Sequence, residues 1–420
     1  MNNLNNRNLS PSFKGLEKYN IDELFGNLST PAYVLDEAML KRNGEILKGV
    51  QDRTGCKILL AQKAFSNFNM YGILGKYLAG TEASGLYEAR LGAEEMPDGE
   101  VHVFCGAYKD DEFEELLKYA DHIVFNSVNQ LAKFGKRAKA AGKSIGLRVN
   151  PECSTQEGHE IYDPCAPGSR LGVTKVQWDE NMTEELINSL DGIHFHTLCE
   201  QGAEPLEVTL KVVEEKFGSF LYNLNWINFG GGHHITKDDY NIDLLEQLIK
   251  RVQEEYKVQV YLEPGEACAL NAGYLITEVL DITKNGEVTN VILDASAACH
   301  MPDVIEMPYM PPIYGAYIAE DLEDDLSPSN KHLASDEKEN KYRLGGPTCL
   351  SGDVIGNYCF EGVIKIGNRV IFGDMAIYTT CKNNTFNGMS LPSIYSLKED
   401  GVLLKLAQFS YEDFKYRLGK

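Results

Sequence analysis

Lys63 stands in LLAQKAF, two residues past the apolar run KILLA (57–61). An amine held among apolar neighbours loses hydration, its pKa falls, and the free base can form a Schiff base. A surface lysine laying its stem along the same neighbours would look identical in sequence. His194 and His196 alternate in GIHFHTLCEQ (192–201), which sets both on one face of a strand. An imidazole near the strand's end could stack on a planar ring; for at least one of the pair, a satisfied core histidine is the competing reading. No carboxylate stands at HExxH spacing from them, so no metal is expected. INFGGGHHIT (227–236) places Gly230, Gly231 and Gly232 in a row, where backbone N–H groups could close on a phosphate. His233 and His234, just after, read as loop residues. Glu263 in YLEPGEA (261–267) ends another apolar run. A buried carboxylate there could keep a pyridine nitrogen protonated and make the ring an electron sink, or it could cap the following turn. Cys349 in GPTCLSGD (346–353) is one of ten scattered thiols and, taken alone, reads as packing.

The elements that must position these groups follow a rhythm from residue 57. Short apolar runs recur as KILLA (57–61), GTEAS (80–84), VHVFC (101–105), HIVF (122–125), SIGLRV (144–149), GIHFH (192–196), WINFG (226–230) and VQVYLEP (258–264). Amphipathic stretches such as DDEFEELLKYA (110–120) lie between them. Eight strands alternating with helices is the pattern of a TIM-like (β/α)8 barrel, whose active sites sit at the C-terminal strand ends. Lys63, His196, Gly230 and Glu263 all fall at such ends. One gap, 150–191, is twice the usual length and carries a long loop over 150–172. After about residue 275 the pattern changes to strands without regular helices, as in YLITEVLDITKNG and VIKIGNRVIFG, and predicts a second, mostly β domain. PAYVLD (31–36) is a strand outside the barrel rhythm. The expected domains are therefore a barrel over 38–275 and a β domain formed by 28–37 with 276–420. Residues 319–340 read as an acidic, solvated excursion.

Composition narrows the function classes. The 420 residues are 43% hydrophobic and carry a net charge of −22, which argues against nucleic acid and anionic membranes as partners. A cationic small molecule is compatible with it. No run is long and apolar enough for a membrane span, and MNNLNNRNLSPSFKG lacks the core of a secretory signal. Ten cysteines without a CxxC pair favour reduced thiols and a cytoplasmic protein.

With these residues in this order, the chain resembles the pyridoxal-phosphate decarboxylases of alanine-racemase-like fold. TPAYVLD, LLAQKAF, SRLGV, HFHT, FGGG, LEPGE, GPTCLSGD and AIYTT occur in that family's order across roughly 28–395. The resemblance implies pyridoxal 5'-phosphate as cofactor, with Lys63 as the Schiff-base lysine and His196 stacked on the ring. It implies Glu263 at the pyridine nitrogen, and Gly230, Gly231, Gly232 and Tyr378 at the phosphate. It also implies a homodimer with shared active sites, in which Cys349 and Asp353 come from the partner subunit; Cys349 would be a catalytic proton donor. Arg148 and Arg170 match arginines of the family's LRVNP and SRLG motifs. Where many members carry arginine after EPG, Glu266 stands here. That is the wrong sign for the distal carboxylate of diaminopimelate. The stretch LDASAACHMPDVIEMPYMPP (293–312) is most similar to the carboxynorspermidine/carboxyspermidine branch. In it Asp303 and Glu306, with Asp353, would meet the ammonium groups of a carboxylated polyamine. The resemblance thus implies decarboxylation to norspermidine or spermidine in polyamine biosynthesis. The competing readings are a diaminopimelate or ornithine-type decarboxylase and a non-catalytic binding homologue.

Overall fold

The computed structural model describes residues 10–156, 162–319, 334–335 and 340–419. The expected acidic excursion over 319–340 lies almost wholly outside them. The chain divides into two compact units, Lys41–Cys268 and a second made of Met1–Leu40 with Ala269–Lys420. Its first strand is β1 (Ala32–Asp36). The barrel strands follow as β2 (Lys57–Ala61), β3 (Gly80–Ala83), β4 (Glu100–Phe104), β5 (His122–Phe125), β6 (Ser144–Arg148), β7 (Gly192–His194), β8 (Trp226–Asn228) and β9 (Gln259–Leu262).

Strands β2 to β9 pair in parallel, each with the next, and β9 returns to β2, so the barrel is closed as expected. Strands covered on both faces need apolar residues throughout, which is why the runs are nearly continuous rather than alternating. The outer helices carry the complementary signal. The helix Ile242–Tyr256 buries Leu245, Leu248, Ile249 and Val252, and Asn241 caps its start by accepting the N–H of Leu244. Ser127 caps Val128–Ala140 in the same way, through the N–H of Gln130.

Two expectations about local structure need correction. The run GIHFH is strand only to His194, so His196 stands beyond the strand end rather than on it. The cause is the glycine turn, which crosses so close that a Cβ on Gly230 would fall 2.5 Å from the Phe195 carbonyl oxygen. The long 150–191 gap is also more than loop: it holds the helices Lys175–Asn181 and Glu184–Ser189.

The second unit is built on β10 (Gly273–Asn285) and β11 (Val288–Leu293), followed by β12 (Ala316–Ala319), β13 (Ala334–Ser335), β14 (Lys341–Gly345), β15 (Val354–Phe360), β16 (Arg369–Gly373), β17 (Ser393–Leu397) and β18 (Leu403–Ala407). With β1 they form a ten-stranded sheet, ordered β13-β12-β15-β14-β11-β10-β1-β17-β18, with β16 also on β10. β1 runs antiparallel to β10 (Ala32 opposite Ile276) and parallel to β17 (Ala32 opposite Ser393). Alternation along β1 serves two cores: Tyr33 packs with Leu275, Val291 and Phe372, while Val34 packs with Phe13, Tyr274 and Ile371. The unit is mostly β, as expected, with short helices at Ala297–His300, Asp303–Glu306 and Tyr411–Leu418 that the sequence pattern did not predict. Among the described residues no helix is long and apolar enough to cross a membrane.

Candidate active site

In the barrel unit, the predicted residues gather where the strands end. Lys63 follows β2, and with Arg148, Tyr162, Asp163, Arg170 and His196 it lines a cavity of about 580 Å³, a size suited to a small molecule. Its neighbours Gln62, Ala64 and Phe65 are buried, but Lys63 itself is exposed to the cavity. The apolar burial expected of it is therefore absent.

Glu263, after β9, is buried and accepts two hydrogen bonds. His194 Nε2 lies 3.0 Å from its Oε2, and Asn228 Nδ2 donates to Oε1 at 2.5 Å. Burial disfavours its charge, yet His194 and then Asn228 outweigh that and hold the carboxyl below its usual range. Burial holds His194 neutral, so its Nε2–H is the donor. His194 thus serves Glu263 from the barrel interior, where its ring stacks on Phe104 at 5.5 Å. Asn228 also reaches the glycine turn. Its Oδ1 accepts the Gly230 N–H at 2.8 Å, which ties that turn to Glu263.

His196 is half-buried, and its Nδ1 accepts the Gly231 N–H at 3.0 Å. Burial, then the charges of Lys63 and Arg148, keep the imidazole neutral, which leaves the proton on Nε2. Two of the three glycine amides are therefore already donated within the protein. Gly230 and Gly232 take φ of 72° and 81°, and a Cβ on Gly232 would fall 2.1 Å from the Leu198 carbonyl oxygen. The glycines are needed here for left-handed backbone and close chain crossing, whatever else the turn holds. His234, beyond the turn, pairs with Glu266 at 2.6 Å.

Sequence reasoning missed two buried polar residues of this mouth, Asn228 and Glu82. Asn228 sits inside the apolar run WINFG. Glu82, next to last in β3, is pushed up to about 8 by burial and then by the charge of Glu263. Arg148, matched from sequence only to the LRVNP motif, is buried over the face of Phe104 at 4.5 Å and brought down to about 10 by burial. The usable signal for Asn228 was a polar side chain inside an otherwise apolar strand.

The remaining predicted residues belong to the β unit. Asp303 and Glu306 both bond the ammonium of Lys382, which stands 6.0 Å from the ring of Tyr378. Cys349 is exposed, and its N–H is donated to Asn387 Oδ1 at 2.8 Å. Asp353 is buried and fully engaged: it accepts from Ser296 Oγ at 2.9 Å, from Thr348 Oγ1 at 2.7 Å and from the Ala298 N–H at 3.3 Å. It fixes the GPTCLSGD loop to the residues after β11. All ten cysteines are free thiols.

Comparison with known proteins bears on this arrangement. Residues 32–376 match the family described as pyridoxal-dependent decarboxylase, C-terminal sheet domain. A carboxynorspermidine/carboxyspermidine decarboxylase of Campylobacter jejuni is 43% identical over 94% of this chain and 99% of its own. A carboxyaminopropylagmatine decarboxylase of Synechocystis is 36% identical over 94% of this chain and 96% of its own. Among solved structures, the Campylobacter jejuni carboxynorspermidine decarboxylase complexed with norspermidine superposes with a TM-score of 0.83 at 42% identity, covering 93% of this chain and 100% of that one. Diaminopimelate decarboxylase of Helicobacter pylori shares the fold, with a TM-score of 0.76 at 18% identity over 95% and 99% of the two chains.

Proposed function

Because the chain belongs to the pyridoxal-dependent decarboxylases, we propose that it decarboxylates carboxynorspermidine or carboxyspermidine to norspermidine or spermidine, in polyamine biosynthesis. The observation that carries this reading is the 43% identity to the Campylobacter jejuni enzyme along nearly the whole of both chains. Pyridoxal 5'-phosphate is the cofactor of the family. The barrel mouth fits it on its own chemistry: an amine and an imidazole open on one cavity, and a buried carboxylate is kept anionic at the same end of the barrel.

In this reading Lys63 is the amine that would hold the cofactor, and His196 would steady its ring. Glu263, anionic and oriented by His194 and Asn228, holds a proton on the ring nitrogen. The turn Gly230–Gly232 would take the phosphate, with the Gly230 and Gly231 amides exchanging their present acceptors, and the family resemblance gives Tyr378 the same role. The bound cofactor supplies the electron sink for the bond pair released as carbon dioxide leaves. Cys349 returns a proton to Cα. Asp303 and Glu306 meet the substrate's ammonium groups, which must share those carboxylates with Lys382 or displace it. Asp353 acts by holding the loop that carries Cys349. The enzyme works in the cytoplasm as a homodimer whose partner subunit supplies that loop.

The test is carbon dioxide release from a panel of carboxynorspermidine, carboxyspermidine, carboxyaminopropylagmatine, diaminopimelate and ornithine. The carboxylated polyamines should be turned over far faster than the two amino acids. Preference for diaminopimelate or ornithine would overturn the reading. Lys63→Ala should lose the visible absorbance of the purified protein together with activity, and an unchanged spectrum would remove Lys63 from its role.

A further inference from the structure

The barrel end opposite the cavity holds a second cluster of ligating groups that decarboxylation does not use. Lys57, Glu100 and His122 are the first residues of β2, β4 and β5. Glu100 and His102 alternate on β4 and so share a face. The parallel register sets His102 directly beside His122, and their rings stack with centroids 3.9 Å apart at 10°. His102 Nε2 lies 3.1 Å from Glu100 Oε2, while the other oxygen of Glu100 takes the Lys57 ammonium. Tyr261 closes the cluster against both imidazoles, at 4.6 Å and 5.4 Å, and Trp226 lies 5.4 Å from His122.

Two observations mark the cluster as more than packing. Glu100, His102 and His122 each offer one ligand atom, and these atoms lie within 4.8 Å of one another. Independently, the Nδ1 atoms of His102 and His122 are buried without a hydrogen-bond partner, and His102 is only 1% exposed. An unsatisfied buried nitrogen costs on the order of 1–3 kcal/mol, a cost that a ligand taken up here would offset.

We propose that Glu100, His102 and His122 form a binding site for a divalent transition-metal ion at the N-terminal end of the barrel. Two imidazoles and a carboxylate are a ligand set for zinc(II), cobalt(II) or nickel(II), with coordination left open to solvent. Ligand atoms on one such ion stand roughly 3.3 Å apart and each imidazole binds in its own ring plane, so on binding the side chains draw inward and His122 turns out of its stack with His102. Lys57 competes for the same carboxylate and sets the affinity. The ion acts on the barrel's stability and not on the decarboxylation site, which lies at the other strand ends.

The test is titration of chelator-treated holoenzyme with cobalt(II) chloride, read by visible ligand-field absorption and by equilibrium dialysis. One equivalent per chain should bind with nitrogen and oxygen ligation. His122→Gln should weaken it at least tenfold, and His234→Gln, which alters the Glu200, His234 and Glu266 group elsewhere in the barrel, should leave it unchanged. Lys57→Met should tighten it several-fold by freeing Glu100, an effect opposite in sign to that of a merely damaged barrel. Absence of saturable binding, thiolate-to-cobalt charge-transfer bands, binding indifferent to His122→Gln, or weakening in Lys57→Met would each overturn the proposal.

Discussion

Glu82 and Glu263 are both buried in the barrel unit, yet their surroundings drive them to opposite charge states. Glu263 has two donors and is held anionic, whereas Glu82 has the charge of Glu263 nearby and little to offset burial, and it rises to about 8. A carboxyl whose folded pKa lies above its unfolded value binds its proton more tightly in the native state. Its contribution to stability is thus complete at low pH and is lost as pH rises from about 4.5 to about 8. Glu82→Gln mimics the neutral acid and removes that slope. Its melting temperature should fall less than the wild type's across this range and exceed it at the upper end; parallel pH–melting curves would show that Glu82 is not the titrating group. Cys349→Ala leaves the cofactor's hold on the barrel intact, so visible absorbance should persist while turnover drops by roughly 10²–10⁴-fold. Full turnover in that variant would reduce the thiol to packing.

Among elements, the glycine turn after β8 does the most positioning. Asn228 holds it to Glu263, His196 accepts from Gly231, and the Gln201 N–H is donated to the Gly232 carbonyl at 2.9 Å. Gly232 has both left-handed backbone and contact with the Leu198 carbonyl. Gly232→Ala should therefore destabilise the barrel by about 2–4 kcal/mol, from the conformational penalty and the displaced crossing. Thermal melts would register this as a drop of several degrees, and a shift within experimental error would mean the turn can relax without loss. The same turn explains what was legible here. Its position after the seventh barrel strand could be read from the GGG run, but its crossing over 195–198, which ends β7 early, could not. That crossing depends on neighbours more than 30 residues away.

For the whole molecule, shared sites make a prediction that neither unit makes alone. If Lys63 serves one chain's site and Cys349 its partner's, chains carrying Lys63→Ala mixed with chains carrying Cys349→Ala should regain activity. Random pairing restores one good site in half of the dimers, so recovery approaches roughly one quarter of wild type. No recovery after subunit exchange, verified by mass spectrometry of mixed dimers, would sink the shared-site reading.

The sequence alone determined the eight-strand rhythm and the mostly β second unit, which follow from local periodicity, and its resemblance to the decarboxylases singled out a lysine, an imidazole, three glycines and a carboxylate at strand ends. Only the tertiary structure decided which groups partner them. Asn228 and His194 serve Glu263, Lys382 occupies Asp303 and Glu306, Asp353 ties its loop to Ser296, and His102 lies ring to ring with His122. The reason is strand register and chain crossing: both bring together residues far apart in sequence, and charge state follows from the neighbours they supply.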